Sequence, residues 1–333
     1  MAHEHPPTIY KRDQPKGFVT AEKAARQAED LAGSVRKWFR HFSRRFKRQN
    51  IDCFRLYDWN SPDIRIVVDW YAGHLVVAEY ERIQTGPEYL PHMARAVAAA
   101  LNIPAENVHI KRRHTKPAEG SRYAKLDSRG TRIAVCERDL RFLVNVSDFL
   151  DTGLYSDHRD TRVIVGNCSK GKDFLNLFAY TGTFTCAAAA AGARSSVSVD
   201  RSETYCAWAR DNLTLNGLAS KQHVLVQSDV MKYLAVALNR GYRCNLAFVD
   251  PPSFYKDERL QASFDINRDH PELLSRVIKI MKPGSDLFFS TNHQRFAPRF
   301  EGIVFQEIVE LTPKTIPEDY RNRAVHRCWL MKV

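Results

Sequence analysis

An α/β fold, with a mostly parallel sheet covered by helices and a smaller α+β domain before it, is what this 333-residue sequence predicts. Three observations point to it. From about residue 170 onward, short apolar strands alternate with helical stretches, the pattern of a parallel sheet clothed on both faces. Three successive strands end in an acid, at Asp200, Asp229 and Asp250, the sheet edge at which open α/β proteins hold their ligands. Before residue 120 the periodicity is different: a long amphipathic helix, then β-rich segments.

Residues 1–20 are polar and are expected to form a mobile tail. The helix that follows includes "SVRKWFRHFSRRFKRQN" (34–50), with Leu31, Val35, Phe39, Phe42 and Phe46 at helical spacing. Arg36, Lys37, Arg40, Arg44 and Arg45 fill the remaining positions, so one face packs and the other is cationic. The strands "DCFRLYD", "IRIVVDWY" and "HLVVAEYERI", the helix "PHMARAVAAALNI" and the strand "NVHIKRR" complete a basic domain over 21–120. Lys111, Arg112 and Arg113 form its second basic run. A polar, Pro- and Gly-containing break over 115–132 and the hairpin pattern "IAVCERDLRFLVNV" lead through a connecting segment, 121–160, into a main domain over 161–333. There the order is "DFLNLFAY", helix, "SSVSVD", helix, "HVLVQSD", helix, "CNLAFVD", helix, "DLFFST", and a closing antiparallel pair, "IVFQEIVEL" and "VHRCWLMKV", which gives a seven-stranded sheet with a terminal antiparallel hairpin.

Composition narrows the function. Lysine and arginine number 50 against 38 aspartates and glutamates, a formal charge of +12, which favours a polyanionic partner. No apolar run reaches the roughly 18 residues of a membrane span, and the N-terminus lacks the apolar core of a secretion signal; a cytoplasmic protein without membrane contact is expected. Seven scattered cysteines form neither a disulfide framework nor a CxxC pair, so no metal site is expected. Nothing marks an obligatory protein partner.

The strand ends carry the chemistry. After "DFLNLFAYTGTFTCAAAAAGA" the turn holds Gly182 and enters an Ala-rich helix, whose free N–H groups suit polar or anionic ligand groups. A G-x-G-x-x-G fingerprint is absent, since Phe178 and Tyr180 stand where small residues belong, which disfavours a nicotinamide enzyme. Asp200 has the placement of a ribose acceptor, and Asp229 could meet an adenine amino group. In "FVDPPSF" (248–254) a strand stops at Asp250, and Pro251 and Pro252 stiffen the turn before Phe254. Singly, each acid is more often a helix cap or a surface group; beside a nucleotide-type turn, three of them together read as a site.

These residues resemble a known family. "DFLNLFAYTGTFT", "SVDRSETYCAWARDNLTLNG" and "FVDPPSF" are similar to class I S-adenosylmethionine-dependent methyltransferases with their Rossmann-like domain. "CFRLYD", "DFLDTGLYSDHR", "SKGKDFLNLFAYTG", "FDINRDH" and "RNRAVHRCWL" extend the resemblance, over nearly the whole chain, to the guanine-N7-methylating C-terminal half of bifunctional bacterial 23S rRNA methyltransferases. The other half of those enzymes, with an N2-guanine activity and an RNA-binding module, has no counterpart here, so a stand-alone protein is expected. The resemblance implies S-adenosylmethionine as cofactor, and 23S rRNA or a large-subunit assembly intermediate as partner. It also implies that Phe178, Tyr180, Thr181 and Gly182 line the methionine side, that Asp200 holds the ribose and that Asp229 contacts the adenine. Asp157 and Arg159 would close over the methionine end, with Arg159 pairing its carboxylate, and Asn176 would accept from its ammonium.

The acceptor follows from reactivity. Guanine N7 offers a free lone pair at neutral pH and needs positioning but no base, whereas cytosine C5 needs an enzyme thiolate, and "FFSTNHQRF" holds Thr291 and Asn292 where that cysteine would stand. Guanine N2 and adenine N6 remain alternatives, as does a non-catalytic RNA-binding protein on this fold. On the N7 reading Asp250 accepts from the base edge and Phe254 stacks on the ring, against a plainer reading of Phe254 as core and Asp250 as a turn cap. Arg321, Arg323 and His326 are candidates for phosphate contact beside the cleft, with the basic N-terminal domain gripping flanking RNA.

Overall fold

The computed structural model describes residues 17–113, 130, 132–257 and 262–333. The expected tail, up to residue 16, and most of the polar break at 115–132 lie outside the described residues.

Helix α1 (Ala21–Arg48) starts where the Thr20 hydroxyl accepts the Lys23 N–H at 3.2 Å and ends in a turn carrying Arg45, Lys47 and Arg48, cations that complement the negative end of the helix. It buries Leu31, Val35, Phe42 and Phe46, as the apolar spacing demands, and Phe39 is half-buried against Trp70. Beneath it lies a sheet of β1 (Cys53–Asp58), β2 (Ile66–Tyr71), β3 (His74–Tyr80) and β4 (Val108–Arg113), in that spatial order. The first two pairings are antiparallel; β3 and β4 run parallel, with α2 (Tyr89–Leu101) as the crossover between them.

The hairpin β5 (Arg132–Glu137) and β6 (Leu140–Asn145) joins the two halves. Its Val135, Phe142 and Val144 share one apolar cluster with Cys53, Tyr71 and Val76 of the first sheet and with Leu154, Cys186 and Leu213 of the second half. The N-terminal domain is therefore packed onto the main domain.

In the main domain, α3 (Arg159–Asn167) precedes β7 (Asp173–Leu177), α4 (Thr183–Ala190), β8 (Ser195–Asp200), α5 (Glu203–Leu215), β9 (His223–Gln227), α6 (Val230–Asn239) and β10 (Cys244–Val249). Strands β11 (Phe254–Asp257) and β12 (Ala262–Asp265), α7 (Ile266–Ile278), β13 (Met281–Thr291), β14 (Glu307–Glu310), α8 (Thr312–Thr315) and β15 (Arg327–Lys332) follow. The seven-stranded sheet has the order β14-β15-β13-β10-β7-β8-β9. Strands β13, β10, β7, β8 and β9 are mutually parallel, and β15 is antiparallel to both β13 and β14. The Rossmann-like sheet and the smaller N-terminal α+β domain are as the sequence predicts. The chain leaves β7 toward β8 and β9 and returns to β10 on the other side of β7. That reversal opens a crevice above their C-terminal ends.

Two features differ from expectation. The closing pair β14 and β15 is antiparallel, but it is no tight hairpin: α8 and residues 316–326 intervene. Between β10 and α7 the chain also forms the small β11–β12 ribbon, whose strands are too short to show a periodicity. Among the described residues no helix is long and apolar enough to cross a membrane.

Candidate functional site

A cavity of about 430 Å³ lies at this crevice, over the ends of β7, β8, β9 and β10, within the size range of small-molecule sites. Its floor is the turn after β7. Phe178 and Tyr180 there have φ of 58° and 50°, the left-handed region, which costs a bulky residue about 1–3 kcal/mol. The turn is held by Ala179 N–H on Val199 O, by Tyr180 N–H on the Asp200 carboxylate at 2.9 Å, and by Gly182 N–H on Ala179 O. Gly182 follows with φ 72°, and a Cβ there would lie 2.7 Å from the Ala209 Cβ. Only glycine allows α5 to approach this closely.

Each strand-end acid is placed differently. Asp200 accepts the Tyr180 and Ser202 N–H groups, one on each oxygen, at 2.9 Å. Burial pushes its carboxyl up and those two bonds oppose the shift; each oxygen keeps a second acceptor position. Asp229 caps α6 through the Lys232 N–H at 3.0 Å, and its other oxygen accepts the Tyr255 hydroxyl at 2.9 Å. Asn176 is buried at the cavity wall with its Nδ2 donating to Thr185 Oγ1 at 2.9 Å, so the carbonyl oxygen is the end left for a ligand. Tyr155, Tyr180 and Tyr205 form an aromatic wall, with ring centroids 5.0 and 4.5 Å apart in succession.

Asp250, Pro251, Pro252 and Ser253 line the cavity where β10 ends, and Ser253 Oγ donates to Asn292 Oδ1 at 2.9 Å. Burial pushes the Asp250 carboxyl up to about 6, with His326 acting against the shift and the Asp157 charge adding to it. Beneath it lies a cluster that sequence reasoning missed. His326 Nδ1 and an Asp157 oxygen are 3.0 Å apart, and the His158 ring stacks on His326 with centroids 4.1 Å apart and planes at 14°. The His158 Nε2 faces both Asp157, at 4.0 Å, and Asp250, at 3.7 Å. Burial works against the Asp157 charge, but the two imidazoles hold its carboxyl well below the usual range. His158 is itself pushed down, mainly by burial. The three residues are close enough to suggest a metal site. However, lone pairs lie in the ring planes, and near-parallel stacked rings direct them side by side rather than toward one ion.

Several expected roles need correction. Arg159 does not face the cavity: it is buried, donating to both oxygens of Asp319 at 2.9 and 3.2 Å and to Cys53 O at 2.8 Å. Thr181 is fully buried, its hydroxyl donating to Gly153 O at 2.6 Å, and neither it nor Gly182 lines the cavity. They shape the turn from behind. Phe254 is not a core residue, for it is 53% exposed, but it does not line the cavity either. Strand alternation turns the cavity-lining Tyr255 inward and Phe254 outward.

The basic residues divide. Arg36, Lys37, Arg40, Arg44 and Arg45 are exposed on α1, with Arg45 paired to Glu318 at 2.6 Å. Arg321 and Arg323 are exposed as well, and each donates to backbone carbonyls. Lys111 is buried, its amine donating to Phe149 O at 2.6 Å, and burial pushes its pKa down to about 8. It holds the loop before the cavity and is not a surface cation. Arg113 pairs with Asp151 at 3.2 Å and Arg112 with Glu81 at 3.5 Å. His326 is buried too, which excludes it from phosphate contact.

The site also contains Arg162, which the sequence did not single out although it stands one helical turn beyond Arg159. Its Nε and Nη2 donate to the two oxygens of buried Glu137 at 2.7 and 2.6 Å. Its Nη1 is buried without a hydrogen-bond partner. A cavity offering strand-end carboxylates, an aromatic wall and an amide oxygen fits a ligand that joins a nucleoside to an amino acid.

Residues 54–314 match a family described as S-adenosylmethionine-dependent methyltransferase. The ribosomal RNA large subunit methyltransferase K/L of two Vibrio cholerae O1 strains is 36% identical over 99% of this chain, which covers 47% of that protein. The chain thus spans about half the length of the curated relatives it matches. Among solved structures, a Streptococcus mutans protein, described provisionally as a SAM-dependent methyltransferase, superposes with a TM-score of 0.71 at 20% identity, covering 92% of this chain and 81% of that one. A SAM-dependent methyltransferase from Agrobacterium tumefaciens gives 0.57 at 17% identity, covering 85% and 89%. At those identities the likeness concerns the fold.

Proposed function

The chain belongs to the S-adenosylmethionine-dependent methyltransferase family, and from that premise we propose that it methylates N7 of a guanine in 23S rRNA. S-adenosylmethionine, bound in the cavity, supplies an electrophilic methyl group on a sulfonium. Asp200 accepts from the ribose hydroxyls, Asp229 with its Tyr255 partner borders the adenine, and the Asn176 carbonyl oxygen accepts from the ammonium. Phe178 and Tyr180 wall the methionine side.

The single observation that carries the choice of acceptor is the environment of Asp250. A carboxylate at the end of β10, stiffened by Pro251 and Pro252, is the reactive-end acid of the cavity, and Cys328, whose thiol feels its charge, is fully buried outside the cavity lining. All seven cysteines lie within the described residues, and none lines the cavity. The addition that cytosine C5 requires thus has no nucleophile. Guanine N7 asks only for position and exclusion of water. Asp250 accepts from N1–H or the exocyclic amine of the guanine edge, and the prolines fix its direction. Phe254, exposed on the outer face of β11, offers an aromatic surface on which RNA can stack.

The RNA assignment rests on the Vibrio relatives named for large-subunit rRNA and on the cationic face of α1. Within an A-form duplex the major groove hides N7, so the target base has to be looped out. The exposed Arg36, Lys37, Arg40 and Arg44, with Arg321 and Arg323, hold flanking phosphates for that purpose.

Incubation of the protein with large-subunit RNA and labelled S-adenosylmethionine, followed by nuclease digestion and mass spectrometry, tests the proposal. Label in 7-methylguanosine is the expected result. Label in 5-methylcytidine, N2-methylguanosine or N6-methyladenosine would replace the acceptor, and a protein that binds cofactor and RNA yet labels nothing would be an RNA-binding member without catalysis.

A further inference from the structure

The acid end of the cavity has a hydrogen-bond donor beside it. Strands β10 and β13 are parallel neighbours, with Val249 opposite Phe289. The residues that follow them, Asp250 to Ser253 on one side and Asn292 on the other, therefore emerge side by side, and they line the cavity together. The backbone of Asn292 is held by Gln294, whose amide donates to Asn292 O at 3.4 Å and to Ala324 O at 3.0 Å. Its side-chain oxygen accepts the Ser253 hydroxyl at 2.9 Å. A carboxamide has one accepting end and one donating end, so that bond decides which end is left. It is the Nδ2 group with its two N–H bonds, on a side chain that is exposed at the mouth.

We propose that Asn292 Nδ2 donates to O6 of the target guanine and, together with Asp250, selects the base, with Ser253 as the residue that positions the amide. The inference rests on the guanine-N7 reading above and supplies the second half of base recognition. Guanine presents the acceptor O6 beside the donor N1–H, and a donor beside a carboxylate matches that order. Adenine and cytosine present the reverse, an amine beside a bare ring nitrogen. Either would set N–H against N–H at Asn292 and a lone pair against Asp250. O6 and N7 are neighbours on one edge of the purine, so a donor at O6 also settles which way the N7 lone pair points. As the methyl group arrives the ring becomes cationic, which strengthens the Asp250 contact and weakens the one to Asn292. The amide thus acts in choosing the base and the carboxylate in the reaction.

Crossing a change in the residue with a change in the base tests this. Once the labelled nucleotide is located, the large-subunit RNA is rebuilt by ligation around a synthetic segment with guanosine, inosine or 2-aminopurine riboside at that position. Inosine lacks only the exocyclic amine, whereas 2-aminopurine keeps the amine and N7 but lacks O6 and N1–H. For the parent, kcat/KM should fall about 10-fold with inosine and about 100-fold with 2-aminopurine, at about tenfold for each lost hydrogen bond. In Asn292→Ala the guanosine rate should be about 10-fold lower and the 2-aminopurine penalty should shrink to about 10-fold, while the inosine penalty stays as it was. Ser253→Ala should give a smaller change in the same direction and add nothing to Asn292→Ala. Calorimetric affinity for S-adenosylhomocysteine should be the same in all three proteins. A 2-aminopurine penalty that is unchanged in Asn292→Ala, an equal change in both penalties, or a weakened S-adenosylhomocysteine complex would overturn the assignment. A label found on a base other than guanine would remove it together with the guanine reading, and that outcome is seen in the parent before any variant is made.

Discussion

The Arg159 guanidinium donates to both carboxylate oxygens of Asp319, at 2.9 and 3.2 Å, with both side chains withdrawn from water. Asp319 also accepts the Arg55 backbone N–H at 2.8 Å, and Arg159 reaches Cys53 O. One ion pair thereby ties α3 and the segment before β15 to the first strand of the N-terminal domain. Breaking it from one side leaves a buried charge unmatched, so Arg159→Leu or Asp319→Leu should lose about 3–5 kcal/mol. The double variant should regain most of that loss. Denaturant unfolding of the three proteins measures the coupling.

Asp250 sets up an opposition between stability and function. Its folded pKa is about 6, above the ordinary 3.8, with burial as the main cause. Between those values the folded protein binds a proton that the unfolded chain has released, so stability falls as pH rises from about 4 to about 6 and stays reduced above. Asp250→Asn, which never ionises, should therefore raise the melting temperature at about pH 7.5, with the gain vanishing near pH 4. Methyl transfer by the same variant should be lost while cofactor affinity is nearly kept, and the parent's transfer rate should decline on the acid side around the Asp250 midpoint. Calorimetric melts at several pH values, with a transfer assay beside them, check both arms. Parallel loss of cofactor binding would place Asp250 on the cofactor instead.

These two residues also mark what a sequence can and cannot tell. Asp250 was legible because a carboxylate ending an apolar strand and followed by two prolines has its position dictated locally. The seven-stranded sheet was legible for the same reason, since each strand and helix announces its own period. Arg159 was misread, and Arg162 and His158 overlooked, because all lie in "SDHRDTR" and which arginine meets the cavity is decided by long-range partners. Asp319 is 160 residues from Arg159, and Glu137 is 25 from Arg162 on another element. Lys111 failed likewise: a basic run after a strand reads as surface, yet the β4 register against β3 buries alternate residues. The β11–β12 ribbon has too few residues for any pattern.

Gly182 offers a test of the turn. A methyl group there would stand 2.7 Å from the Ala209 Cβ at a backbone φ of 72°, so both packing and conformation oppose it. Gly182→Ala should destabilise the protein by about 1–3 kcal/mol and weaken S-adenosylhomocysteine binding by moving Tyr180 and the Asp200 carboxylate it engages. Ala209→Gly combined with Gly182→Ala removes the clash but not the unfavourable φ, and should restore only part of each loss. Thermal melts and calorimetric titration separate the two contributions.

RNA binding and cavity support should separate between α1 and β4. Arg40 and Arg44 are exposed on the cationic face of α1, and every phosphate left without its arginine should lower the slope of log affinity against log salt by about 0.7–0.9. Arg40→Gln with Arg44→Gln should thus flatten the salt dependence of RNA binding while leaving the fold and S-adenosylhomocysteine affinity unchanged. Lys111→Met makes the opposite prediction. The Lys111 amine donates to Phe149 O at 2.6 Å, bracing the loop whose next residues include the cavity-lining Asp151 and Tyr155. Its removal should weaken the small ligand and leave the salt slope intact. Because burial pushes the Lys111 pKa down to about 8, the ordinary unfolded value lies above the folded one. The unfolded chain binds the extra proton in between, so stability should rise with pH from about 8 toward 10 in the parent and not in Lys111→Met. Filter-binding titrations at several salt concentrations, with melts across that alkaline range, distinguish a surface cation from an internal brace. A reduced salt slope in Lys111→Met would return that residue to the RNA face.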